Sequence, residues 1–361
     1  MMPSVERTAP KTIASKIAGS RRVSLAEQSW TVPTADGHRL SVLRRFPTGD
    51  VRPVPVVLIH GLAQNRLTWH LPQRSFQNCL VDAGFDTYNV ELRGHSGSRD
   101  AGSPYPSSFE EYYELDVPAV VEAIAATTGA NRCLLIGHSL GGSVCYAFGV
   151  RHPERVAGIV SIGGPTHFAK GNASNRFLGA AVDVLYRRVP PWPWVLRKIP
   201  YAFGDLLGSF VVANSWYFDN PKFTCPLAVW LPGSMEPDVT RLRMIDGWDR
   251  TGMPVFMTMM RWFGSPQGNE SDDGTINYSN ELRDLTVPTL FVVGNRDQVA
   301  PRTSIEPGFV SCGATDKALV ELGGGTDPDF GHIDLISGRH APQITWPVMR
   351  RWLEAHARPL S

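Results

Sequence analysis

The sequence predicts an α/β protein: a mostly parallel central sheet with helices on both faces and one inserted, largely helical cap. Three observations carry this. Short, continuous apolar runs alternate with segments of helical periodicity up to Pro165; the alternation stops from Thr166 to Asp284; it resumes at Val287 and continues to the terminal helix. A strand buried on both faces reads as an unbroken apolar run, and strand–helix alternation builds parallel βαβ units. The chain has 361 residues, 42% of them hydrophobic and 10% aromatic, which is enough to bury a large core and rules out disorder throughout.

Residues 1–29 come first and read as a basic, flexible extension. Arg7, Lys11, Lys16, Arg21 and Arg22 stand against Glu6, and no apolar leader segment accompanies them. A weak membrane-surface anchor is the alternative. The catalytic core then spans 30–165 and 285–361, split by a cap at 166–284. Val54–Gly61 (VPVVLIHG) is the first buried strand, followed by a helix from Ser75 to Ala83 that Gly84 ends. FDTYNVEL is the next strand, and Arg93–Ser98 (RGHSGS) a turn. Phe109–Thr128 is helical up to Gly129, and Arg132–Ile136 is a strand leading into GHSLGG. Ser143–Val150 is helical, Ala157–Ile162 is a strand, and Val287–Asp297 and Lys317–Leu322 supply the last two. A helix from Gln343 to Ala357 closes the chain.

The cap segment is too long for a structureless loop. It holds six of the ten tryptophans: Trp192, Trp194, Trp216, Trp230, Trp248 and Trp262. These fill a small helical lid, line an apolar pocket, or meet lipid at an interface. Pro190–Phe218 is the best candidate for the last.

The formal charge of +1 argues against a nucleic-acid partner, and no run reaches the ~18 apolar residues of a membrane span. Five dispersed cysteines without a C-x-x-C pair suit a reducing, cytoplasmic location. His95, His138 and His152 show no metal-ligand grouping, so neither metal nor organic cofactor is expected.

Gly137-His138-Ser139-Leu140-Gly141 is a G-x-S-x-G between a strand and a helix. A sharp strand-to-helix turn lifts the serine above the sheet, crowds its neighbours into glycine, and turns the Leu140 N–H toward a developing oxyanion. A serine hydroxyl needs a base. His332 follows the last strand and is preferred over His340 and His356. The carboxylate that orients it is Asp297, at the end of VVGNRD, with Asp327, Asp329 and Asp334 as alternatives. Gly61 permits a bend that aims the Leu62 N–H beside that of Leu140. His60 is expected to brace that loop.

Taken together, HGLAQN, ELRGHSGS, GHSLGG, HPERV, GNRD and FGHID resemble an α/β-hydrolase, and GHSLGG and FGHIDLISG are similar to forms in lipases and esterases. The resemblance covers roughly Trp30–Thr166 and Val287–Ser361. It implies Ser139 as nucleophile, His332 as base, Asp297 as acid, and Leu62 and Leu140 as oxyanion donors. Glu91 stands where family members commonly have Asp, and is expected to support its loop. The implied function is a serine hydrolase of carboxylic esters with an apolar acyl or alcohol group. Two alternatives remain, an acyltransferase or polyester-synthase-like enzyme with the same triad, and a non-catalytic ligand-binding relative. The cap matches no known pattern, so the residues that bind substrate are not identified.

Overall fold

The computed structural model describes residues 4–171, 209–220 and 228–357, with scattered positions between 173 and 201. Ten strands form one sheet. In chain order they are β1 (Glu6–Arg7), β2 (Lys11–Ala18), β3 (Arg21–Pro33), β4 (Arg39–Pro47), β5 (Val56–Ile59), β6 (Thr87–Glu91), β7 (Cys133–His138), β8 (Val156–Ile162), β9 (Thr289–Gly294) and β10 (Lys317–Leu322). Their spatial order is β1-β3-β4-β6-β5-β7-β8-β9-β10, with β2 also paired to β3. From β6 to β10 every pairing is parallel, while β1 to β4 attach antiparallel. Strand order reverses around β5, so the carboxyl ends of β5, β7 and β8 open onto a crevice where α/β proteins place their ligands.

The inner parallel strands β5, β7, β8 and β9 are mostly apolar because side chains leave both faces into protein. In β5, Val57 and Ile59 join one hydrophobic cluster, and Val56 and Leu58 join the other. Helices cover both sides: α1 (Phe76–Asp82), α2 (Ser96–Asp100), α3 (Val117–Thr128), α4 (Leu140–Arg151), α5 (Pro237–Ile245), α6 (Met253–Gly264), α7 (Arg302–Ser311) and α8 (Thr345–His356). Val120, Val121 and Ile124 of α3 and Val144 and Phe148 of α4 pack on the first face. Phe76 and Leu80 of α1 with Trp346, Met349 and Leu353 of α8 pack on the second. Ser75 caps α1 by accepting the Asn78 N–H, and Gly129 ends α3 at φ 74°, where a side chain would be strained. The Arg93–Ser98 turn continues into α2, which the sequence reading did not expect.

The expected flexible extension at residues 1–29 is corrected by β1, β2 and the first part of β3. Trp30 and Val32 of β3 enter the first cluster, and Ile17 of β2 enters the second. Lys11, Arg21 and Arg22 are exposed at the strand ends, so the charge count conceals the buried residues that anchor both strands. Neither β3 nor β4 is a continuous apolar run, because antiparallel strands at the end of the sheet bury one face more than the other.

Between β8 and β9 lies the inserted helical region. Val255, Met259, Trp262 and Phe263 form one stripe of α6 and pack against the first cluster, with Trp262 edge-on to Phe109. A third cluster joins Val239 and Met244 of α5, Val211, Trp230 and Met235 of the insertion, and Leu71 and Ile333 of the core. Trp192, Trp194 and most of Pro190–Phe218 fall outside the described residues.

Candidate active site

β7 runs into α4 through Ser139, which holds φ 54° and ψ −121°. Positive φ is costly for a residue with a side chain, on the order of 1–3 kcal/mol, and persists only where the surroundings impose it. They do so here by crowding. A Cβ on Gly137 would lie 2.5 Å from the Gly142 nitrogen, and one on Gly141 would lie 2.6 Å from the His60 carbonyl oxygen. Both glycines of the motif are therefore steric requirements of the turn. Leu140 is the first residue of α4, so its N–H belongs to the set with no partner inside the helix.

The loop after β5 passes directly over this turn. A Cβ on Gly61 would be 3.1 Å from Ser139 Cβ. His60 is wholly buried; its Nδ1 donates to the Gly61 carbonyl at 2.9 Å while Nε2 accepts the Leu92 N–H at 3.1 Å. This fixes the neutral tautomer and braces the loop, as the sequence reading expected. Burial, followed by the neighbouring His95, holds its pKa well below the ordinary histidine value. Glu91 supports the adjoining turn: it accepts two hydrogen bonds from Arg66 at 2.9 and 2.7 Å and the Gly97 N–H at 3.0 Å.

His332 follows β10 in the loop Asp329–Ile333, and its Nδ1 lies 2.7 Å from Asp297 Oδ2. The other oxygen of Asp297 accepts the Val299 and Ala300 N–H groups at 2.9 and 2.8 Å, which fixes the carboxylate in place. Among the alternatives, Asp329 accepts from Asn295, Asp327 bridges to Gly324, and Asp334 accepts the Leu231 and Gly331 N–H groups. His340 is exposed, and His356 stacks on Trp352 and reaches Asp316. Gly163, at φ 58°, leaves room for the pair; a Cβ there would meet His332 at 3.0 Å.

Ser139, His332 and Leu62 all line one cavity of about 380 Å³, within the range of small-molecule sites. Trp230, Met244, Met259 and Phe263 contribute apolar wall from the insertion. Sequence reasoning missed how the insertion grips the loop after β5. The Asp249 N–H donates to the Ala63 carbonyl at 2.8 Å, Asn65 Nδ2 donates to the Asp246 carbonyl at 2.7 Å, and Gln64 bridges Trp248. Ala63 itself sits at φ 52°. It also missed Arg243, a buried arginine on the cavity wall. No spacing in the cap signals either, since both are contacts between segments far apart in the chain.

The profile of the α/β hydrolase fold matches residues 54–308. The chain belongs to the α/β-hydrolase family. Its relatives group this α/β-hydrolase with carboxylic ester hydrolases of the lipase and esterase type. Human lipase member M is 34% identical across 87% of this chain and 79% of its own length. Human lipase member K is 30% identical across 88% of this chain and 84% of its own. Among solved structures, the monoacylglycerol lipase of Paleococcus ferrophilus covers 88% of this α/β-hydrolase and 99% of its own chain, with a TM-score of 0.59 at 19% identity, a likeness of fold.

Proposed function

We propose that this α/β-hydrolase cleaves esters with an apolar acyl or alcohol group through an acyl-enzyme on Ser139. The observation that carries the reading is the 2.7 Å His332–Asp297 pair on the cavity that Ser139 lines. With Nδ1 directed at Asp297, Nε2 of His332 is left as the base. Ser139 Oγ attacks the carbonyl carbon as His332 Nε2 takes its proton, and the carbonyl π electrons move onto oxygen. The Leu62 and Leu140 N–H groups receive that oxyanion. Collapse breaks the ester C–O bond, and His332 passes its proton to the departing alcohol. Water then gives a proton to His332 and attacks the acyl carbon, releasing the acid and restoring Ser139.

Two further parts of the reading concern surroundings. The exposed aromatics Trp216 and Tyr217 support contact of the cap with a lipid surface. Buried, free Cys79, Cys133, Cys145 and Cys312 support a cytoplasmic location, and no helix among the described residues is long and apolar enough to cross a membrane.

The test is Ser139→Ala, assayed against chromogenic esters of graded chain length together with labelling by a fluorophosphonate. Turnover and labelling should both vanish while the melting temperature holds. Retained turnover would remove Ser139 from the mechanism.

A further inference from the structure

Arg243 is anomalous by ordinary rules of burial. It is 2% exposed, yet its side chain lies on an otherwise apolar cavity wall shared with Ser139 and His332. Buried arginines are normally matched by a carboxylate, because stripping water from a cation costs several kcal/mol unless an anion and hydrogen bonds replace it. Among the described residues, every other buried arginine obeys that rule. Arg93 meets Asp116, Asp36 and Glu111; Arg45 meets Glu27; Arg74 meets Glu236. Arg243 forms no ion pair among the described residues. Its one hydrogen bond there is from Nη1 to Thr68 Oγ1 at 3.3 Å, and Nε is buried with no acceptor.

Its surroundings supply hydroxyl, amide and imidazole groups and no carboxylate partner among the described residues. Thr68 already donates its own proton to Gln64 Oε1 at 2.8 Å, and that oxygen also faces His138 Nδ1 at 3.2 Å. His138 is wholly buried and its pKa lies well below the usual histidine value, chiefly from burial, then from the adjacent His332 and from Arg243. Burial likewise lowers the Arg243 guanidinium to about 10, which still leaves it charged at neutral pH. A guanidinium that no carboxylate matches among the described residues, on the wall of a binding cavity, is suited to an oxyanion of a ligand.

We infer that Arg243 receives an anionic group of the substrate, so that the preferred esters carry a carboxylate or similar oxyanion remote from the scissile bond. The inference rests on the ester-hydrolase reading and names its substrate class. The apolar wall contributed by Met244, Met259 and Phe263 takes the hydrocarbon between the two polar ends. The anion supplies the partner that the fold withholds. An uncharged ester leaves the guanidinium buried and unmatched, and this difference sets the preference.

Two matched pairs of esters test this, one for each side of the scissile bond. On the acyl side, 4-nitrophenyl hydrogen suberate is compared with 4-nitrophenyl octanoate. On the alcohol side, 4-carboxyphenyl octanoate is compared with its methyl ester. For one pair, the ratio of kcat/KM, charged over neutral, should fall at least tenfold in Arg243→Met. Arg243→Lys, which keeps the charge and loses the fork, should fall between the two. Free of ligand, Arg243→Met should melt no lower than the native protein, since removing an unmatched buried charge relieves a cost. If both ratios stay within twofold while turnover persists, the anion role is overturned and the hydrolase reading stands. A melting temperature lowered by several degrees with both ratios unchanged makes Arg243 a structural residue and overturns the inference too. If the native protein neither hydrolyses any of the four esters nor reacts with a fluorophosphonate, the hydrolase reading itself fails, and the inference with it.

Discussion

Asp334 sits two residues from His332 and shows how much a single buried carboxyl can couple to pH. It is wholly buried, and burial raises its pKa to about 7 against the pull of the Leu231 and Gly331 N–H groups that it accepts at 2.8 and 3.0 Å. In the unfolded chain it titrates near the ordinary value of about 3.9. Between about pH 4 and pH 7 the folded state therefore binds the extra proton, and stability falls as pH rises through that window. Asp334→Asn cannot ionise. Its melting temperature should lose this downward slope, and thermal scans from pH 4 to 8 check it; parallel curves for variant and native protein would discharge Asp334 from the role. At this scale Ser139, His332 and Asp297 could be proposed from the sequence because such chemistry leaves local marks: glycines at fixed offsets, and polar residues at strand ends. Arg243 left none, because what singles it out is that no carboxylate among the described residues meets it, and partners come from folding.

Among elements, the decisive contact is between the insertion and the loop after β5. Asp249 accepts the Ser96 N–H at 2.5 Å and Arg99 Nη1 at 2.5 Å, while its own N–H holds Ala63. One residue of the insertion thus ties the start of α2 to the loop that carries Leu62. Asp249→Ala should cost about 2 kcal/mol, as for other hydrogen bonds to a charged group. It should also lower kcat about tenfold with a smaller change in KM, because the donors meet the developing charge and not the ground-state ester. Denaturant titration and steady-state kinetics check both, and an effect on stability alone would reduce the contact to a brace. The inner parallel strands β5, β7, β8 and β9 were legible because two-sided burial writes a mostly apolar run. The antiparallel β2 and β3 were missed because their few buried positions are scattered among exposed basic and polar residues, which composition counts as a basic tail. The grip on the β5 loop was invisible, since Ala63 and Asp249 are joined only by tertiary structure.

Considered as a whole molecule, the chain divides its work between a rigid sheet with two covered faces and an insertion that closes one end. Trp216, 75% exposed, and Tyr217 stand on the outer side of that insertion. Replacing both by serine should reduce activity on an emulsified ester at least fivefold more than activity on a dissolved one, and should weaken co-sedimentation with lipid vesicles. An equal loss on both substrates would place the two aromatics in substrate binding and not at a surface. The β1–β2 edge of the sheet faces another problem. There the sheet stops at β1 and β2, whose outer backbone groups meet no further strand among the described residues. Such an edge can recruit a second chain and seed a fibril. Lys11 and Lys16 lie along it, and β1 carries Glu6 and Arg7. An incoming copy would have to bring its own lysines into register and strip their water. The charges that gave this segment the look of a loose tail thus serve as its protection against aggregation.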